Sequence, residues 1–209
     1  MTLDQFETLV QSQKPASVPW QPVTDYSFEA RAAIEADHPR LIKETFNPDF
    51  VIDAGCGPDG VLVRMLIDHG VQVLGFDPQI PKQSINPALI HGSLIESRFG
   101  NDDDEPFADL VVCREVLEHL TIAHVRAAVR NLCRMTTKFV YVTTRFHPNP
   151  TSLLDVATSD ELDPTHITML NQDFLRLLFV LEGFTRCRDL ETAMDWQGKG
   201  RVLVYERHN

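Results

Sequence analysis

The stretch VIDAGCGPDGVLVRML, Val51 to Leu66, decides the fold. An apolar strand over Phe50 to Asp53 runs into a turn containing Gly55, Gly57 and Gly60. The turn opens at once into a helix over Val61 to His69, on which Leu62, Met65 and Leu66 share a face. Such a junction cradles a small ligand: the glycines let the backbone turn tightly and come close without a Cβ in the way, and the helix start offers N–H groups. In an open α/β sheet the ligand then lies at the C-terminal edge of the strands. The spacing GxGxxG by itself is shared with dinucleotide-binding enzymes. Asp53 narrows the choice, because a carboxylate just before the turn accepts from an ammonium group and would repel a pyrophosphate. Asp77, followed by Pro78, closes the next strand at the distance expected of a group holding ribose hydroxyls.

Outward from this stretch, strand and helix patterns alternate as they do in a parallel sheet with crossover helices. Strands are predicted over Val71 to Phe76, Ala88 to His91, Asp109 to Cys113 and Phe139 to Thr143, with an amphipathic helix over Ile122 to Arg134. A helix over Asn171 to Leu181 ends before Gly183. The segments Phe184 to Leu190 and Val202 to Tyr205 then read as a C-terminal antiparallel strand pair across a turn with Gly198 and Gly200. The fold class is therefore α/β: a doubly wound, mostly parallel, seven-stranded Rossmann-like sheet. Upstream, Ser27 to Thr45 is interrupted at Pro39 and reads as one broken helix or two short ones. Residues 1–26, with Pro15, Pro19 and Pro22, read as an arm pinned by Trp20, so the domain is expected over 27–209.

The 209 residues suffice for one hydrophobic core without disulfides or a structural metal. Cys56, Cys113, Cys133 and Cys187 are scattered, which predicts free thiols in a reducing compartment. No apolar run is long enough to span a bilayer, and the N-terminus lacks secretory-signal character, so a cytoplasmic location is expected. The formal net charge of −11 disfavours nucleic-acid partners, whose affinity rests on basic surface. The acidic run Asp102 to Glu105 reads as a solvated loop.

With Asp53, the glycine turn and Asp77 in this order, the chain resembles the class I S-adenosylmethionine-dependent methyltransferases over roughly Phe50 to Tyr205. The resemblance implies that Asp53, Ala54, Gly55, Cys56 and Gly57 contact the methionine part of the donor. It implies that Asp77 and Pro78 border the ribose and that Gly92, Ser93 and Leu94 flank the adenine. Many relatives carry an acid where this chain has Ser93. The segment CREVLEHL, Cys113 to Leu120, is similar to the passage from donor site to acceptor pocket, with Cys113 and Arg114 at the methionine end.

If a helix begins near Glu115, then Glu115, Glu118 and His119 share a face. With His166 from DPTHITML, they could hold a divalent cation acting as a Lewis acid. A similar set does so in small-RNA 3-prime-end 2-prime-O-methyltransferases and some quinone O-methyltransferases. Without a metal, His166 is the candidate proton acceptor, or else it only ties a loop to the sheet; His119 and Glu115 complete the candidate catalytic residues. Thr144, Arg145 and His147 are expected to face the acceptor. The leading reading is methyl transfer from S-adenosylmethionine to an oxygen or nitrogen of a small molecule or glycan. The alternatives are a metal-dependent enzyme acting on a ribose or a catechol or quinol hydroxyl, a non-catalytic donor-binding scaffold, and a nicotinamide-dependent oxidoreductase.

Overall fold

The computed structural model describes residue 32 and residues 36–96, 106–146, 154–155 and 165–208. The expectations placed on the arm and Trp20, on Asp102 to Glu105, and on His147 lie outside these residues.

Seven strands form one sheet in the order β3-β2-β1-β4-β5-β9-β8. Strands β1 (Phe50–Ala54), β2 (Gln72–Asp77), β3 (Leu89–His91), β4 (Ala108–Arg114) and β5 (Thr136–Thr143) are parallel. The antiparallel β9 (Val202–Arg207) lies between β5 and the edge strand β8 (Phe184–Arg186). A separate two-stranded ladder pairs β6 (Leu154–Asp155) with β7 (Met169–Leu170).

The strands are apolar on both faces because helices cover both, as parallel sheets require. Side chains alternate between two cores. Val51, Leu110, Val112, Tyr141 and Val204 pack on the side of α1 (His38–Phe46), α2 (Val61–Asp68) and α5 (Arg188–Met194). Ile52, Val111, Cys113, Val140, Val142 and Leu203 pack on the side of α3 (Ile122–Met135) and α4 (Gln172–Leu181). Each fully buried aliphatic side chain contributes about 1.5–3 kcal/mol, so truncating one in mid-strand would be costly.

Residue 32 is helical, 36–37 form a turn and a new helix starts at His38, so the break falls just before Pro39. Pro39 stands in the first turn of α1, where a missing N–H costs nothing, and the helix ends at Asn47 in the left-handed conformation. Asn171 caps α4, its side-chain oxygen accepting from the N–H groups of Asp173 and Phe174 at 2.7 and 3.4 Å. All four cysteines are free thiols. No described helix is long and apolar enough to cross a membrane.

The single strand expected over Phe184 to Leu190 is corrected to a three-residue strand followed by α5. The helical turn is favoured because it buries Met194 at 0% exposure. It also turns Glu191 back to receive both a bidentate contact from Arg186 at 2.7 and 2.8 Å and the Val204 N–H at 3.2 Å.

Candidate functional site

The site is built on strand ends. Past β1, Gly55, Gly57 and Gly60 adopt φ of +83°, +75° and +55°, a region open to glycine and strained for other residues. The Gly55 and Cys56 N–H groups donate to the Phe76 carbonyl at 2.8 and 3.2 Å, stitching the turn to β2. A Cβ at Gly55 would stand 2.4 Å from Cγ2 of Val116, so the turn leans directly on the chain leaving β4.

Asp77 is 8% exposed and already employed: Oδ2 accepts from the Gly57 N–H at 3.1 Å and Oδ1 from the Gln79 N–H at 2.8 Å. A carboxylate has about four lone-pair sites, so these two bonds do not exhaust its capacity for ribose hydroxyls. The same side chain thus shapes the glycine turn and faces the cradle. Asp53 (3% exposed), Ala54 and Cys56 are buried at the end of β1 and in the turn, and Pro78 is exposed. Past β3, the Gly92 N–H donates to the Asp77 carbonyl at 3.3 Å, and Ser93 Oγ accepts from the Ile95 N–H at 3.4 Å. The Leu94 side chain is buried and its carbonyl accepts from Asn131 at 2.8 Å. All the donor-site candidates therefore gather along one edge, at the ends of β1 to β4.

The helix expected to start near Glu115 does not form there. Glu115 takes φ +50°, a 3-10 turn covers Leu117–His119, and α3 begins at Ile122. The left-handed residue changes the chain's direction, so Glu115, Glu118 and His119 do not share a helical face. The Glu115 side chain is 43% exposed with its carboxylate 3.7 Å from Arg201. Among the described residues, Glu118, His119 and His166 bring one potential ligand atom each within 4.8 Å of one another, without Glu115.

Glu118 ties two segments together at this point. Its buried carboxyl accepts from Thr144 Oγ1 at 2.8 Å and from the Arg145 N–H at 3.3 Å, while its backbone carbonyl accepts from Ile167 and Thr168 at 2.9 and 3.1 Å. Burial first, then the neighbouring Glu115 carboxylate, holds the Glu118 carboxyl well above the usual range, which favours the protonated form. His119 Nδ1 lies 2.9 Å from the Thr165 hydroxyl, and its ring centroid lies 4.9 Å from that of His166. Cys113 is wholly buried, and desolvation pushes its thiol up, so it behaves as a core residue.

One group escaped the sequence reading. His38, at the start of α1, is 0% exposed, with Nδ1 2.9 Å from Arg114 Nη1, Nε2 3.2 Å from the Tyr141 hydroxyl, and Trp196 stacked on its ring at 4.6 Å. No local pattern marks it, since its partners lie 76 and 103 positions away.

A parallel sheet with an antiparallel β9, and a ligand cradle at the ends of β1 and β2, define a class I S-adenosylmethionine-dependent methyltransferase. The sequence matches the model of a methyltransferase domain family over residues 27–186, and the chain belongs to that family. Comparison with curated proteins finds no match. Among solved structures, the chain is similar to a sugar N-methyltransferase from Streptoalloteichus sp ATCC 53650, with TM-score 0.59 and 15% identity over 94% of this chain and 98% of that one. It is similar to the N-terminal domain of EvdMO1, solved in the presence of S-adenosylhomocysteine and D-fucose, with TM-score 0.61 and 14% identity over 100% and 98%. An O-methyltransferase family protein from Burkholderia thailandensis gives TM-score 0.57 and 14% identity over 87% of this chain, which spans 58% of that one.

Proposed function

We propose that the protein moves the methyl group of S-adenosylmethionine to an oxygen or nitrogen of a small-molecule or glycan acceptor, using a domain over 27–209. Asp53 receives the donor's ammonium, Asp77 its ribose hydroxyls, Gly92 to Leu94 its adenine, and Arg114 the methionine end, while Cys113 packs in the core behind it. Methyl transfer is an in-line attack that needs alignment and exclusion of water, not a covalent nucleophile. The acceptor's proton is left to His166, with His119 and Glu115 beside the path.

The observation that carries this reading is the tie made by Glu118, which brings the segment with His166 to the same strand edge as the glycine turn. The net charge disfavours a nucleic acid, and the likeness to a sugar N-methyltransferase and to a domain solved with S-adenosylhomocysteine and D-fucose supports a sugar acceptor. The test combines calorimetry with S-adenosylhomocysteine and turnover of labelled donor over a panel of amino and hydroxy sugars, phenols and nucleosides. Absence of both binding and turnover refutes the reading, while binding without turnover on any acceptor identifies a donor-binding scaffold.

A second reading is favoured by the proximity of Glu118, His119 and His166: a divalent cation activating a ribose, catechol or quinol hydroxyl. The donor set is chemically suitable, but a cation there would have to displace the proton that burial keeps on Glu118. Metal content after purification, and activity after chelation, separate the two readings.

A further inference from the structure

We propose that His38 is a positioning residue, holding the Arg114 guanidinium at the end of β4 so that it receives the α-carboxylate of the methyl donor. This rests on the donor-site reading above. Arginine can only donate, so Nδ1 of His38 must be the acceptor of the 2.9 Å contact. The ring is then neutral with its proton on Nε2, from which it donates to the Tyr141 hydroxyl at 3.2 Å. Stacking on Trp196 at 4.6 Å and 28° fixes the plane of the ring. A single orientation and a single tautomer result, and they present Arg114 with an acceptor fixed in place.

The place where Arg114 is held gives the role. Val51 and Val112 pack into the core on the α1 side, and strand side chains alternate. Asp53, two residues past Val51, and Arg114, two past Val112, therefore emerge on that same face. Asp53 is in register with Val112 on the adjacent strand, so Arg114 stands one step further along the edge. An acid and an arginine side by side match the two charges of an α-amino acid: the ammonium for Asp53, the carboxylate for Arg114, whose planar fork suits a carboxylate. Val116, two residues on, lies against the glycine turn, so the chain leaving β4 at Arg114 runs beside the cradle. A long side chain ordered before the donor arrives loses less freedom on binding, which is what the histidine supplies.

The test compares S-adenosylmethionine with its decarboxylated analogue, which keeps the ammonium, sulfonium and adenosine. By calorimetry on the full chain, Arg114→Gln should weaken S-adenosylmethionine about 10- to 100-fold, the range for a hydrogen bond to a charged group. His38→Phe, which preserves stacking but not the acceptor, should weaken it about 5- to 30-fold, less than loss of the arginine itself because the guanidinium stays in place. Neither should weaken the decarboxylated analogue. His38→Asn, whose Oδ1 can replace Nδ1, should recover part of the loss. Should His38→Phe fail to fold, Tyr141→Phe removes one hydroxyl without opening a cavity and should show the same selectivity in smaller degree. Equal loss for both ligands, or no loss for either, overturns the proposal. Failure of the wild-type protein to bind either ligand is a different outcome, and it removes the donor reading on which the proposal stands.

Discussion

Replacing Gly55 by alanine tests whether the glycine turn and the exit from β4 form one packed unit. Two costs are expected. A non-glycine residue near φ +83° loses about 1–2 kcal/mol. The new Cβ would also lie 2.4 Å from Val116 Cγ2, against an ordinary contact of 3.4 Å or more, so one side must yield by about 1 Å. Overpacking of that kind costs about 1–3 kcal/mol, giving a total of about 2–5 kcal/mol. Gly198 provides the control: its φ is +60° and nothing lies within 4 Å of the place a Cβ would take, so Gly198→Ala should show only the backbone cost. In Gly55→Ala with Val116→Ala, the nearest remaining valine atom is Cβ at 3.5 Å, and the steric part should disappear. Urea denaturation of these three variants and of Val116→Ala alone measures the cycle, and calorimetry with S-adenosylhomocysteine should show that only Gly55→Ala alone impairs binding strongly. Equal destabilisation by Gly55→Ala and Gly198→Ala, or a double variant worse than the sum of its parts, would refute the reasoning.

Asp77→Ala removes the acceptor of two backbone N–H groups as well as of ribose hydroxyls, and S-adenosylhomocysteine should bind about 1–3 kcal/mol more weakly; unchanged affinity by calorimetry would place the ribose elsewhere. His166→Ala should lower turnover about 10²–10⁴-fold with donor affinity intact, as removal of a proton acceptor does. Wild-type turnover would leave His166 a residue of the loop. Burial first, then Arg114, holds His38 well below its ordinary value of 6.5, and the groups facing it are Arg114 from β4, the Tyr141 hydroxyl from β5, and the Trp196 ring after α5. The unfolded chain protonates near pH 6.5 while the native ring does not, so this contribution is complete above that pH and is lost as pH falls towards the folded value. The urea midpoint should therefore drop between about pH 6.5 and 5 more steeply in the wild type than in His38→Phe, and parallel profiles would contradict it.

The strands and helices that run past the glycine turn were legible because a buried parallel strand writes itself as a short apolar run, and Val61 to Leu66 carries its helical face openly. What failed was local backbone choice under tertiary control. Glu115 has no glycine-like signature, yet it adopts a left-handed conformation beside the Gly55 turn, and a helix pattern beginning there looked continuous with α3. The residues after Phe184 look strand-like until Glu191 is seen turning back to Arg186 and Val204. The turn from Asp53 to Gly57 could be picked out because its glycines directly follow an apolar strand in the sequence. His38 was not, because its meaning lies in Arg114 and Tyr141, which only the folded sheet brings to it.

The place of β9 governs the order in which the molecule can be completed. Strand β8 is made before β9 but pairs only with it, so β8 has no docking edge until the later residues of β9 have left the ribosome and zipped onto β5. Until then the outer edge of β5 offers Val140 to Thr143 as an unpaired template to any passing strand. A chain extended only as far as β5 would hold the glycine turn at β1 and β2 while the far side of its sheet is still open. Ligand that binds this early would favour the folded half over the unfolded one, but only closure by β9 removes the aggregation-prone edge.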